Sequence, residues 1–369
     1  MKKIVAILFG GKSAEHEVSL QSAKNIVGAI DKEKYNVVLI GIDKQGKWLL
    51  NNNSHSFLNP RSPKSIKLSK SGDSIALVPH GKGEIVNFSN PKNRLTVDIA
   101  FPVLHGPFGE DGTIQGLLKL AGVPFVGAGV LGSAVGMDKD IMKRLLRDAK
   151  IPIAKFLVFK DTNIIKFEKV VENIGLPFFV KPANLGSSVG VNKVKSQKDF
   201  RKAITEAFRY DRKILLEEYI NGREIECSIL GNDSSIASVP GEIITNDEFY
   251  SYDAKYIDEN GAFLEIPAKL EKNVIKKIQN LAIKTFETLS CEGLGRVDFF
   301  LQNNGEVIVN EINTIPGFTS ISMYPKLWEA SGMSYTNLID KLILLAIERF
   351  EKEQKLSTMQ KIWLPNNLI

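Results

Sequence analysis

Two apolar runs toward the C-terminus each carry an acid that a buried strand cannot leave alone. Gly295-Arg296-Val297-Asp298-Phe299-Phe300 places Asp298 thirteen residues before Glu311, and Asn304-Gly305 marks a turn between the runs. An unpaired carboxylate in apolar surroundings is costly. Adjacent antiparallel strands would bring Asp298 beside Glu311 and Asn313, and alternation puts Glu311 and Asn313 on one face. Three oxygen-bearing side chains suit a hard cation such as Mg²⁺, above all when nucleotide phosphates fill its other positions. An ordinary ion pair with Arg296 is the less satisfactory reading; Arg296 also shares a face with Asp298, which could set the arginine near the same phosphates.

The rest of the chain reads as alternating strands and helices. Lys3-Ile4-Val5-Ala6-Ile7-Leu8-Phe9-Gly10-Gly11 is a short apolar run entering a tight turn, as a buried parallel strand does. An amphipathic helical pattern covers Ser19 to Ile30, and Tyr35 to Ile40 makes a second strand. This order suggests an open sheet with ligands at the carboxyl ends of its strands. Residues Asn51 to Asn93, rich in Asn, Ser, Lys and Gly, read as a surface insertion with one or two strands. Val97 to Leu104 is another buried strand, ending in His105-Gly106. Gly and Ser interrupt the apolar pattern between Gly129 and Met137, which marks a boundary. A helix over Asp138 to Asp148 follows, then strands at Phe156–Phe159, Phe178–Lys181 and Ile214–Glu218. Further helical patterns cover Ile275 to Leu289 and Tyr335 to Phe350, with a polar tail beyond.

Four more segments can carry chemistry, and each has a bland reading beside it. Gly10-Gly11-Lys12-Ser13-Ala14-Glu15 is a strand-to-helix turn whose N–H groups could bind an anion and whose acids could hold a cation; a plain turn and helix cap explains it equally. It lacks the spacing of a P-loop and the third glycine of the dinucleotide fingerprint. His105-Gly106-Pro107-Phe108-Gly109-Glu110-Asp111-Gly112 sets a histidine and two acids on a tight loop after a strand, where a structural histidine is also common. Lys181, at a strand end, precedes Asn184-Leu185-Gly186-Ser187-Ser188-Val189-Gly190, a loop able to approach phosphates and to close, or simply a connection. Lys255 and Tyr256 lie in a polar stretch that reads as surface or as a lid. Taken together, these features describe an ATP–Mg²⁺ phosphoryl-transfer site.

Composition narrows the alternatives. The 369 residues are 43% hydrophobic and 24% charged, which excludes a mostly disordered or low-complexity chain and suits two or three domains. The net charge of +6 is modest, with no basic-aromatic stripe, so a nucleic-acid-binding module is disfavoured. No apolar run is long enough for a membrane span, and a cytoplasmic location is expected. Cys227 and Cys291 form neither a zinc cluster nor a disulfide framework and read as reduced structural thiols.

The five segments in this order resemble the D-alanine–D-alanine ligases of the ATP-grasp superfamily. The resemblance implies an α/β, three-domain ATP-grasp fold, with an open N-terminal α/β sheet domain and a nucleotide site between the central and C-terminal domains. The expected units are 1–133, carrying the 51–93 insertion, then 134–220 and 221–369. It implies phosphate contacts from Lys139 and Lys181, and adenine or ribose contacts from Glu217, Glu218, Tyr219, Ile220 and Glu224. Asp298, Glu311 and Asn313 correspond to ligands of two Mg²⁺ (or Mn²⁺) ions. Glu15 is matched to the ammonium group of a first D-alanine, in a hydrogen-bonded set with Ser187 and Tyr256, with His105 near that substrate. Arg296 and the Gly317 N–H would stabilise a tetrahedral intermediate. Lys255, Ser322 and the backbone at Met323 would receive the second substrate's carboxylate. The implied partners are ATP, two D-alanines and a second copy in a homodimer. A D-alanine–D-lactate ligase, another carboxylate–amine ligase and an ATP-binding regulator without turnover are the alternatives.

Overall fold

The computed structural model describes residues 2–50, 72–92, 94–245 and 262–357. Lys255 and Tyr256, most of the first half of the insertion and the end of the tail therefore lie outside the described residues.

The first sheet contains β1 (Lys3–Gly10), β2 (Tyr35–Ile42), β3 (Trp48–Leu50), β4 (Asp73–Leu77), β5 (Glu84–Asn87), β6 (Arg94–Thr96) and β7 (Ile99–Val103). Its order is β6-β5-β4-β3-β2-β1-β7, with β1 parallel to both β2 and β7. The central pairing is parallel because the helix His16–Ala29 crosses between β1 and β2. Close approach demands glycine at the end of β1: a Cβ on Gly10, at φ +92°, would fall 2.3 Å from the Ile42 carbonyl oxygen. The helix starts three residues earlier than its apolar pattern suggests, so Glu15 occupies the position before its first turn.

The second sheet is antiparallel, in the order β10-β9-β11-β8, from β8 (Phe156–Phe159), β9 (Phe178–Pro182), β10 (Asn192–Val194) and β11 (Ile214–Glu218). The third contains β12 (Arg223–Gly231), β13 (Ile236–Ala237), β14 (Gly241–Thr245), β15 (Ala262–Glu265), β16 (Gly293–Leu301) and β17 (Val307–Asn313). There β12 lies against β16, and β16 against β17, all antiparallel.

The hairpin expected from the two acid-bearing runs is present, with Asp298 opposite Glu311 and Arg296 opposite Asn313. Its register slips between Asp298 and Phe299. Phe299 opposes Val309, so Asn310 is an extra residue on β17. Strict alternation from Val307 and Val309, both buried in the core, would have turned Glu311 into that core. The bulge reverses the phase and turns Glu311 to the face of Asp298.

The apolar layers explain how the sheets are held. One core is shared between β1 and β7 (Val5, Ile7, Phe9, Phe101) and the C-terminal segment (Phe318, Tyr324, Leu338, Leu342, Ile343). Phe101 meets Phe318 edge to face at 6.0 Å. Arg349 adds a polar tie by donating to the Phe125 carbonyl at 2.8 Å and to that of Gly127. The second sheet instead packs on its own core, which includes Val170, Phe178, Val180, Phe200 and Leu216. The Gly- and Ser-interrupted stretch read as a boundary is the helix Val130–Met137. Its glycines serve close packing: a Cβ on Gly132 would lie 2.5 Å from the Ser290 carbonyl oxygen, and one on Gly136 would lie 2.7 Å from the Thr314 methyl. Cys227 and Cys291 are buried free thiols, each pushed up to about 12 by burial. Among the described residues, no helix is long and apolar enough to cross a membrane.

Because Leu342 is fully buried in the shared core, Leu342→Ala is expected to cost about 2–5 kcal/mol. Urea unfolding should show this loss, and hydrogen exchange should place it in β1, β7 and the helix Tyr335–Gln354 rather than in the second sheet.

Candidate functional site

Glu15 is 8% exposed, and its backbone N–H donates to Ser13 Oγ at 3.1 Å. The Ser187 hydroxyl donates to the Glu15 carboxylate across a sequence separation of 172 residues. Ser187 and Ser188 take positive φ (52° and 59°), which folds the Gly186 loop tightly over this end of the first sheet. Two of the three members of the expected set therefore meet, and the third, Tyr256, is outside the described residues.

His105 follows β7 and is also buried. Its Nδ1 lies 3.1 Å from the Ile315 carbonyl oxygen. Burial lowers its affinity for a proton despite the nearby charge of Glu15, which favours the neutral imidazole. Glu110, which carries no role in the sequence reading, joins the same loops. It accepts from the Gly106 N–H at 2.7 Å and from the Ile315 N–H at 3.3 Å. Burial, then the charge of Glu15, pushes its carboxyl up to about 8, although both backbone donors pull the other way. The tight Gly106-to-Gly112 loop was legible; that one of its acids would face Glu15 depends on tertiary packing.

The segment after β17 is fixed against the first helix. Ser22 Oγ accepts from the Phe318 N–H at 3.1 Å, and Asn25 Nδ2 donates to the Phe318 carbonyl at 3.0 Å. Ser322 Oγ accepts from the Thr319 N–H at 2.9 Å, and a Cβ on Gly317 would come within 2.7 Å of it. The Met323 side chain is buried with Ile243 and Leu327.

Lys139 and Lys181 approach from the central part. Lys139 Nζ donates to the Leu185 carbonyl at 2.7 Å and lies 3.2 Å from Glu311. Lys181 is ion-paired with Glu217. A second lysine, Lys143, is fully buried, pairs with the other Glu217 oxygen, and donates to the bulged Asn310 carbonyl at 3.3 Å. Burial opposes the charge on Glu217, but Lys143 and Lys181 outweigh it and hold the acid below the usual carboxylate range. The sequence reading matched Glu217 to adenine or ribose without foreseeing these lysines. Lys143 was findable, since it lies one helical turn after Lys139 on the helix Lys139–Asp148.

Of the remaining nucleotide candidates, Glu218 accepts from the Lys155 N–H at 2.6 Å. The Tyr219 ring lies 6.2 Å from Phe179, with Lys193 Nζ 4.2 Å above it. Ile220 is half-buried in the connection to β12, where Glu224 sits opposite Phe300.

On the open face of the third sheet, Asp298 receives Arg296 through Nε and Nη2, both at 2.8 Å, and Asn313 Nδ2 at 2.9 Å. Glu226 stands opposite Asp298 on β12, 2.8 Å from Arg296 Nε. Asp298, Glu311 and the amide oxygen of Asn313 are hard donors that fit a divalent cation. In this structure, arginine and lysine charges lie against the two carboxylates. No group of three His, Cys, Asp or Glu side chains with metal-site geometry occurs among the described residues.

The chain matches known proteins over nearly its whole length. A family described as "D-ala D-ala ligase N-terminus" matches residues 4–128, and "D-ala D-ala ligase C-terminus" matches residues 145–344. The chain is 56% identical to a D-alanine–D-alanine ligase of Oceanobacillus iheyensis, covering 97% of this chain and 99% of that one. It is 53% identical to D-alanine–D-alanine ligase A of Escherichia coli K12, covering 97% and 100%. Among solved structures, the D-alanine–D-alanine ligase of Coxiella burnetii has a TM-score of 0.86 at 42% identity and 96% coverage of both chains. The VanG D-Ala:D-Ser ligase of Enterococcus faecalis has a TM-score of 0.83 at 38% identity, covering 94% of this chain and 100% of that one.

Glu110 gives a test of the first-sheet end of the site. An acid whose folded pKa is raised binds its proton more tightly when folded. Its stabilising contribution is complete below about pH 4.5 and is lost as the pH rises toward about 8. Urea unfolding across that range should show wild type losing stability relative to Glu110→Gln as pH increases; parallel curves would place the Glu110 proton elsewhere.

Proposed function

The chain belongs to the D-alanine–D-alanine ligase family, and on that premise we propose how its own residues carry the family's reaction. It is an ATP-dependent ligase that joins two D-alanines to D-alanyl-D-alanine for peptidoglycan precursor synthesis. ADP and inorganic phosphate are the other products, formed through a D-alanyl phosphate. The hydrogen bond between Ser187 and Glu15 carries the reading, because it closes the phosphate loop onto the residue that would receive the first D-alanine.

Glu15 accepts from the ammonium group of that substrate, and neutral His105 lies beside it. The substrate's carboxylate attacks the γ-phosphorus of ATP. Lys139 and Lys181 bear on the phosphates, and closure of the Gly186 loop keeps water from the acyl phosphate. Lys139 is suited to this by its present contacts with Leu185 and Glu311. Glu218, Tyr219, Ile220 and Glu224 line the adenosine, with Glu217 at its edge and braced by two lysines. Asp298, Glu311 and Asn313 would hold two Mg²⁺ (or Mn²⁺) ions, which supply positive charge against the phosphate oxygens when bound.

The second D-alanine enters with its carboxylate on Lys255, Ser322 and the backbone at Met323. Its free amine attacks the acyl phosphate. Arg296 and the Gly317 N–H then receive the oxyanion of the tetrahedral intermediate, which collapses with loss of phosphate. Tyr256 completes the set of Glu15 and Ser187 and favours an amine acceptor over D-lactate.

Units 1–133, 134–220 and 221–369 go with this reading. Three separate sheets support them, although Met142 and Leu146 pack in the core of the third. A homodimer in the cytoplasm is the proposed setting.

Incubation with ATP, Mg²⁺ and D-alanine should release phosphate and yield the dipeptide, with D-lactate in parallel as the competing acceptor. ATP breakdown indifferent to any D-amino acid would refute the assignment. Asp298→Ala and Glu311→Ala should each reduce turnover by about 100-fold or more. For Glu15→Gln, the KM for the first D-alanine should rise about tenfold or more while nucleotide binding is kept, as loss of a charge-assisted hydrogen bond implies.

A further inference from the structure

Glu226 has no part in the scheme above, yet it is among the most deeply placed acids of the catalytic face, at 6% exposure. It sits on β12 directly opposite Asp298 on β16, which puts both side chains on the same side of the sheet. One guanidinium lies between them. Arg296 gives Nε and Nη2 to the two oxygens of Asp298, each at 2.8 Å, while Glu226 lies 2.8 Å from the same Nε. Asp298 also accepts from Asn313. Both oxygens of a candidate metal ligand are thus engaged by the side chain assigned to the oxyanion.

These two roles cannot both be served in this arrangement. A divalent cation that takes Asp298 must take its oxygens from the arginine. The guanidinium, always charged and enclosed by protein, then needs another carboxylate close by, or it would leave the face or resist the cation. Glu226 is already at contact distance from the shared nitrogen. We infer that Glu226 is a positioning residue for Arg296: it retains the guanidinium on the catalytic face when a divalent cation claims Asp298. The inference rests on the metal and oxyanion roles proposed above, and it assigns the arginine's second partner.

The test uses the full chain with a non-hydrolysable ATP analogue, and Mn²⁺ binding is followed by the paramagnetic resonance of the free ion. This readout needs neither D-alanine nor turnover, so a wrong substrate assignment would not affect it. Glu226→Gln is measured both with Arg296 present and in Arg296→Met. If Glu226 works through the arginine, the substitution weakens Mn²⁺ binding severalfold with Arg296 present and by a clearly smaller factor with methionine. Equal losses in the two backgrounds would mean that Glu226 acts on the cation directly, and no loss in either would mean that Arg296 does not need it. Both results overturn the inference.

Turnover supplies an independent reading. Glu226→Gln should lower kcat by about 10- to 100-fold, less than or comparable to removal of an oxyanion donor, with little change in the KM for ATP. Glu226→Asp keeps the charge and should recover part of kcat. It also serves where the glutamine variant folds poorly, as judged by circular dichroism. An aspartate variant no better than glutamine in a folded protein would contradict a role set by charge.

Discussion

A single ammonium group joins parts of the chain that fold around different cores. Lys139 starts the helix Lys139–Asp148, reaches the Leu185 carbonyl in the loop after β9, and lies 3.2 Å from Glu311 on β17. Its charge is largely withdrawn from water, so these contacts are stronger than an exposed pair would be. Through it, the position of the Gly186 loop depends on the hairpin that bears the acids. Ser187 makes the corresponding tie to the first sheet through Glu15. A few polar contacts therefore join elements that pack on different apolar layers.

Charge is handled alike throughout the site. Three acids of the site have a counter-charge or backbone donors at hand: Glu217 has Lys143 and Lys181, Asp298 has Arg296, and Glu110 has the N–H groups of Gly106 and Ile315. Removing one partner from such an arrangement costs more than the pair contributes, because the remaining charge stays desolvated.

Much of this was legible in the chain itself. The acid-bearing runs around Asn304-Gly305 indicated a hairpin, and the run ending at Gly10-Gly11 indicated a parallel strand entering a turn. Both rest on local rules of burial and turn chemistry. The pairing of Lys143 with Glu217, and of Glu226 with Arg296, joins residues whose separation in sequence carries no signal. The stretch from Gly129 to Met137 shows a different limit. Its glycines suggest a break, but they permit a helix to approach the backbone at Ser290 and the Thr314 side chain. Glycine has the same sequence signature whether it loosens a chain or lets two segments touch.

The extra residue on β17 has a consequence for how this chain can vary. Asn310 works like a frameshift in the strand's two-residue reading frame: Val307 and Val309 on one side of it are spelled for the interior, and Glu311 and Asn313 on the other for the cleft. Drawing Asn310 into the pleat instead would impose the simple alternation and send the carboxylate into a layer of valine and phenylalanine. Lengths can drift in the surface loops of such a protein, but with Asn310 present its backbone must stay out of the ladder for the acid to reach the cleft.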